Sequence, residues 1–168
     1  MLVGAADESD LGALTDLYNH YVRESAATFD TVPLSHGQRR PWLLSHDKDG
    51  PHRLLVARKQ GVHASGELLG YAHSSRFRPK PAYGTSVECT VYVAPDACGQ
   101  GVGSLLYTHL FAALEGQDLH RAYAGITVPN EASVRLHRRF GFELCGTYSE
   151  AGRKFGRYHD VQRFEKAL

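Results

Sequence analysis

At 168 residues the chain suits one domain, residues 1–168, with a core of its own. Nineteen Lys and Arg against 18 Asp and Glu leave a net charge of +1, and the cations are scattered, so no basic field for nucleic acid is present. No apolar run reaches the roughly 18 residues of a membrane span, and the N-terminus lacks a basic-then-apolar leader pattern. The three cysteines, Cys89, Cys98 and Cys145, form no Cys-x-x-Cys pair, which argues for a reducing cytoplasm and against a disulfide framework. Ten histidines are spread without His-x-x-x-His or His-Glu-x-x-His spacing, so no metal site is expected.

In chain order, Leu2 to Ala5 reads as a short edge strand. Asp7 or Ser9 can cap the helix after it, whose face carries Leu11, Leu14, Leu17, Tyr18 and Tyr21. Beyond Arg23 comes the short stretch Ala26 to Asp30. Ser35 can cap a second helix through Trp42 and Leu43, with Pro41 expected to interrupt it. Arg53 to Lys59 and Gly66 to Ser74 read as two hairpin strands joined by residues 60–65. Prolines make Ser75 to Pro81 a loop, and it gathers Arg76, Arg78 and Lys80. Such a cluster is either a solvated loop or a grip for a carboxylate, which the planar fork of Arg suits.

Tyr83 to Val93 is the fourth strand, with Ser86, Glu88, Thr90 and Tyr92 on one face and Val87, Cys89, Val91 and Val93 on the other. A carboxylate in mid-strand is costly to bury without a partner or a task. Glu88 therefore has either a salt bridge or a function. Pro95 and the glycines at 99, 101 and 103 open a tight loop, and Leu105, Leu106, Leu110, Ala113 and Leu114 then recur at helical spacing. Strand, glycine turn and helix start together form an anion site, because free N–H groups and the helix dipole converge there. Gly103 is followed by Ser104-Leu105 rather than Lys-Ser or Lys-Thr, which excludes a Walker loop; the even glycine spacing also misses the dinucleotide fingerprint.

Arg121 to Val128 is a fifth strand closed by Pro129. Asn130 can cap a helix supported by Ala132, Val134, Leu136 and Phe140 and ended by Gly141. Phe142 to Tyr148 and Lys154 to Phe164 are the last strands, separated by a turn at Glu150-Ala151-Gly152.

Glu88 to Gly103, with the helical run after it, resembles motif A of the GCN5-related N-acetyltransferases (GNAT), Arg/Gln-x-x-Gly-x-Gly/Ala after a strand whose bulged backbone holds the pantetheine arm of acetyl-CoA. Gly101 and Gly103 fall on the glycine positions, whereas Cys98 stands at the Arg/Gln position, where Gln100 or Arg139 can substitute. The chain is most similar to the phosphinothricin and methionine sulfone/sulfoximine N-acetyltransferase branch. Residues 17–22, Thr85 to Glu88 with Val91 to Val93, Asn130 to His137 and Gly152 to Asp160 carry that likeness.

The resemblance implies an α/β (α+β) GNAT fold: a mixed, mostly antiparallel sheet of about seven strands, flanked by about four helices. A cofactor cleft is splayed between the fourth and fifth strands. It implies acetyl-CoA as cosubstrate, no metal, and transfer to the α-amino group of a small amino acid or analogue. The alternatives are a non-catalytic acyl-CoA sensor and the same chemistry on another amine. Glu88 is the implied base and His137 the implied acid for the leaving thiolate, with the reverse assignment or a packed histidine left open. Cofactor contacts are implied at Val91, Tyr92, Val93, Gly99, Gln100, Gly101, Val102, Gly103, Ser104, Asn130, Ser133 and Arg139. Phe29, Cys89 and Thr90 are implied to line the acceptor site, with Arg78 ahead of Arg76 as the carboxylate clamp; Phe29 can equally be a helix-packing residue. The branch commonly forms homodimers.

Overall fold

The computed structural model describes residues 1–60 and 66–168; the expected connection at residues 60–65 lies, from 61 on, outside the described residues. Its alternating segments become β1 (Leu2–Ala5), β2 (Leu54–Arg58), β3 (Leu68–Arg76), β4 (Ser86–Val93), β5 (Arg121–Thr127), β6 (Glu143–Lys154) and β7 (Arg157–Ala167). These form one sheet in the order β1-β2-β3-β4-β5-β7-β6. Its periodic segments become α1 (Leu11–Glu24), α2 (His36–Leu44), α3 (Val102–Leu114) and α4 (Glu131–Arg139). Only β4 and β5 run parallel, since α3 carries the chain across the sheet between them.

The two faces of the sheet are covered by different helices. On one, Val87, Cys89, Ala122, Ala124 and Ile126 pack with Leu106, Leu110 and Leu114 of α3 and Val134 of α4. On the other, Leu54, Val56 and Tyr71 pack with Leu14 and Leu17 of α1 and Leu43 of α2. Burial on both faces explains why β2 reads Leu-Leu-Val-Ala without polar alternation.

Several expectations shift. Asp7 caps a single 3-10 turn, Glu8–Asp10, that leads into α1. Ser35 caps α2 through a capping box with Gln38, and the helix passes through Pro41 without interruption. The missing N–H forfeits one bond, and Ser45 still closes the last turn on the Pro41 carbonyl at 3.1 Å. The fourth strand starts at Ser86, because Pro81–Tyr83 is a 3-10 turn.

The turn expected at Glu150 to Gly152 lies instead at Phe155 and Gly156, both at positive φ (52° and 76°), as a two-residue hairpin requires. Residues 149–151 are a bulge, where the register shifts between Tyr148 and Gly152. Its exposed amide is satisfied: Glu150 N donates to Asp160 Oδ1 at 2.7 Å. At Gly152 a Cβ would overlap the Phe29 ring, so this glycine admits Phe29 against β6.

Candidate active site

The cleft arises because β4 and β5 part company. They pair only at Ser86↔Arg121, Val87↔Ala122 and Glu88↔Tyr123, whereas β4 stays on β3 as far as Val93 and β5 stays on β7 as far as Thr127. Backbone groups of residues 89–93 thus face an opening of about 520 Å³ rather than a neighbouring strand. The strand expected to be bulged is not: its register with β3 is unbroken from Gly70↔Val93 to Arg76↔Val87, and the divergence of β5 alone makes the gap. Ala94 N bonds to Leu69 O (2.8 Å), so antiparallel alternation turns the Thr90 and Tyr92 amides toward β3 and those of Val91 and Val93 into the cleft. An extended ligand with amide groups can pair there as an added strand would.

The mouth of the cleft is the glycine loop. Gly99 and Gly101 take φ of +78° and +81°, and Gly101 is the N-cap of α3. Leu105 N makes the first helical bond, to Gly101 O at 2.9 Å, so the amides of Val102, Gly103 and Ser104 precede it and are free for an anion. Gly103 serves packing as well: a Cβ there would stand 3.0 Å from Leu136 Cδ2, so its absence lets α4 close on α3. Gln100 turns away, its Nε2 donating to Asp96 O at 2.6 Å, and it is not among the residues lining the cleft. Cys98 lines the cleft but holds no cation. Asn130, at the α4 N-cap, and Ser133 and Arg139 of α4 line the wall, together with Arg135, which sequence reasoning did not select.

His137 lies at the back of the cleft, buried on α4. Its Nδ1 is 2.8 Å from the Ser133 carbonyl, which can only accept, so Nδ1 carries the proton. Nε2 is then the acceptor for the Tyr107 hydroxyl at 2.8 Å. Burial lowers the His137 pKa, against a smaller opposing effect of the Ser133 backbone bond, so the neutral imidazole is favoured. Burial likewise pushes the Tyr107 phenol well up, which keeps its O–H available to donate. The expected leaving-group acid is thus a neutral ring with both nitrogens engaged. Tyr107, its partner, is an apolar-face residue of α3 with no sequence signal beyond helical spacing.

On the α1/α2 face, Glu88 occupies the last paired rung of β4 and β5, at the apex of the opening. It is ion-paired: Arg163 Nη1 of β7 lies 2.9 Å from its Oε1. Thr90 and Tyr92 follow on the same face and line the cleft. Tyr123, opposite Glu88, stacks on Phe77 with ring centroids 4.2 Å apart, and the Arg78 guanidinium sits 5.0 Å over Phe77. Arg76 pairs with Val87 and so starts from the opposite face. Phe29 packs on Gly152 and faces His159 (centroids 6.3 Å), while Lys154 Nζ donates to Thr28 O at 2.8 Å and ties this loop to β6. Cys89, on the other face, is buried; burial first and the Glu88 charge second push its thiol up to about 12. It is not a nucleophile at neutral pH.

The geometry suits acetyl-CoA. Unpaired strand amides meet a pantetheine arm, the α3 amides with Arg135 and Arg139 nearby meet a pyrophosphate, and the two positive-φ glycines leave the main chain bare of Cβ atoms at that point. Among the described residues no cluster of His, Cys, Asp and Glu could hold a metal ion.

Comparison with known proteins agrees. The chain is 65% identical over 161 residues to a phosphinothricin N-acetyltransferase of Streptomyces coelicolor, covering 96% of this chain and 92% of that protein. It is 62% identical over 159 residues to an N-acetyltransferase of Streptomyces griseus, covering 95% and 82%. Its fold overlays a phosphinothricin acetyltransferase of Sinorhizobium meliloti, solved in complex with acetyl-CoA, with a TM-score of 0.91 and 29% identity across 99% and 88% of the two chains. The acetyltransferase (GNAT) family pattern matches residues 14–142, and with the splayed strands and glycine-capped helix already described, the chain belongs to that family.

Proposed function

We propose that the chain transfers the acetyl group of acetyl-CoA to the α-amino group of a small amino acid or analogue of the phosphinothricin, methionine sulfone or methionine sulfoximine kind, within a ternary complex. The observation that carries this reading is the place of Glu88: a carboxylate on β4 at the last rung that β4 and β5 share, next in the strand to the residues that line the opening. Acetyl-CoA supplies an acyl group already activated as a thioester; the chain supplies the rest. An α-amine is largely protonated near neutral pH, and Glu88 takes that proton directly or through a water, freeing the nitrogen lone pair for attack. The Val91 or Val93 amide polarises the thioester carbonyl. Arg78 grips the substrate carboxylate in this reading; its position over Phe77, which stacks on the Tyr123 opposite Glu88, supports that role.

A thiol of pKa about 8.5 leaves as its anion with little help. A neutral, doubly bonded His137 is therefore better suited to shaping the back wall than to protonating the thiolate. Main-chain amides at the α3 start carry the pyrophosphate, with Arg135 and Arg139 in place of the missing side chain at Cys98.

Release of CoA thiol against a panel of acceptors tests the reading. Phosphinothricin, methionine sulfone and methionine sulfoximine should release thiol, while polyamines and aminoglycosides should not, because Arg76, Arg78 and Lys80 repel polycations. Tight CoA binding with no release from any acceptor would instead identify a sensor. For the quaternary state we place a second copy on β6, an edge strand of 12 residues that is exposed along nearly all its length and carries Leu144 and Tyr148 outward. Sedimentation at the monomer mass would reject that pairing. No helix among the described residues is long and apolar enough to cross a membrane; the free cysteines, Cys98 and Cys145 exposed, suit a reducing cytoplasm.

A further inference from the structure

Arg163 reaches Glu88 by an unusual route. On β7 it stands between two glycines, Gly125 of β5 and Gly146 of β6. A Cβ on Gly125 would lie 2.5 Å from Arg163 Nη1, so the guanidinium lies across β5 in the space that a side chain there would fill. It arrives at β4 with Nη1 2.9 Å from Glu88 Oε1. Among the described residues Glu88 Oε2 has no hydrogen-bond or ion-pair partner.

Fold stability does not account for this arrangement. The two side chains are 19% and 33% exposed, so the pair is partly buried and the desolvation of both charges offsets most of its Coulomb gain. Glycine inside an internal strand costs roughly 0.5–1 kcal/mol relative to alanine. The pair and the glycine that admits it therefore come close to cancelling. The location supplies the missing reason, since Glu88 stands on the last rung that β4 and β5 share and Gly125 lines the cleft that opens beyond it.

We propose that Arg163 is a positioning residue for Glu88: it occupies Oε1 and fixes the carboxylate rotamer, so that Oε2 alone faces the incoming amine. This rests on the acetyl-transfer reading above and sharpens it. Oε2 accepts one ammonium proton, which frees the nitrogen lone pair. The C–N bond forms at the thioester carbon as the C–S bond breaks, and CoA leaves as its thiolate. The second nitrogen proton goes to that thiolate through solvent, and the Oε2 proton passes to solvent. A carboxylate free to rotate would offer this oxygen only part of the time, and small misplacements near a reacting centre cost up to about 100-fold in rate.

The test compares Arg163→Met, Arg163→Lys, Glu88→Gln and the double variant Glu88→Gln/Arg163→Met. Arg163→Met should lower kcat about tenfold or more, with acetyl-CoA affinity by calorimetry unchanged and thermal stability close to the parent. Arg163→Lys, which keeps the charge and most of the reach, should recover much of the loss and serves if the methionine variant folds poorly. In the Glu88→Gln background the Arg163→Met change should do nothing further, a non-additivity that a purely structural role would not produce. Independently of turnover, the Glu88 carboxyl carbon signal in NMR should move in Arg163→Met. An undiminished kcat, an equal loss in both backgrounds, or an unmoved carboxyl signal overturns the assignment. If the signal moves while the parent protein acetylates no acceptor, the pair stands and the acetyl-transfer reading falls.

Discussion

The two walls of the cleft are built from different materials. The wall toward α3 and α4 is mostly main chain: amides of Val91, Val93 and residues 102–104, exposed by strand divergence and by two glycines at positive φ. On the side toward α1 and α2, Tyr21, Thr90 and Tyr92 line the cleft, and the other site candidates, outside that lining, are side chains: Glu88 held by Arg163, Arg78 over Phe77, Phe29 seated on Gly152. Main-chain donors survive most substitutions, so the first wall tolerates a cysteine where relatives of its motif carry Arg or Gln. Each side chain on the second wall depends on one or two specific partners. Changes there should strike the chemistry, and changes on the first wall should strike cofactor affinity.

The largest expected effect is on the side-chain wall. Glu88→Gln removes the proposed proton acceptor while keeping shape, and general-base catalysis contributes roughly 10²–10⁴-fold. Turnover should fall by about that factor at neutral pH while the acetyl-CoA dissociation constant, read by calorimetry, stays within about twofold. Full activity in this variant would remove Glu88 from the mechanism.

Next comes the main-chain wall. Gly101 holds φ of +81° with nothing near its missing Cβ, so alanine would strain the backbone without a clash. Left-handed geometry costs a non-glycine residue about 1–2 kcal/mol. Relaxing that strain turns the α3 amides away from the anion, so Gly101→Ala should raise the acetyl-CoA KM about tenfold and leave the acceptor KM unchanged. Equal effects on both substrates would mean that the walls are not separable.

A smaller effect separates the two faces by stability. His46 and His73 touch on the α1/α2 face (Nε2 to Nδ1, 3.3 Å), and His137 is buried on the other. Burial lowers the pKa of all three; for His73 the charges of His46 and Arg39 add to it. With the folded values below the unfolded value of about 6.5, the unfolded chain binds protons first as pH falls. Stability is therefore complete above about pH 6.5 and is lost below it, by up to about 1.4 kcal/mol per pH unit for each histidine. Melting temperature should drop between pH 7 and 5, and His73→Phe should flatten that drop by about one proton's worth. An unchanged slope would place the acid sensitivity elsewhere.

The comparison of walls also explains what could be read from sequence. The main-chain wall depends on local pattern: a β-branched strand, then glycines, then helical spacing within about twenty residues, and the chain showed all of it. The carboxylate at 88 was visible because a mid-strand Glu is conspicuous. Its partner was not, because Arg163 meets it only through the strand order β4-β5-β7 and a glycine whose purpose lies two strands away. Tyr107 carries no signal beyond its place on an apolar helix face, and Gln100 is polar and exposed but its side chain folds back onto the Asp96 carbonyl. The β6–β7 turn was misplaced because Glu150, Ala151 and Gly152 carry turn chemistry, whereas a bulge uses the same residues and Phe155-Gly156 supplies the two positive φ angles.

The smallest effect tests how far the main-chain wall can be improved. Cys98 lines the cleft mouth three residues before the α3 N-cap, and its thiol only reaches back to the Ala94 carbonyl at 3.6 Å. An arginine there would add a fork of donors beside the amides proposed to carry the pyrophosphate. A charge-assisted bond of this kind is worth about 1.5–3 kcal/mol when fully formed. Exposure, screening and the lost rotamer freedom of a long side chain reduce that to a fraction. Cys98→Arg should therefore lower the acetyl-CoA KM only about two- to fivefold, with kcat unchanged and the gain fading at high salt. A much larger gain would mean that the amides carry less of the phosphate than the glycine geometry implies, and that the cysteine had left the first wall incomplete.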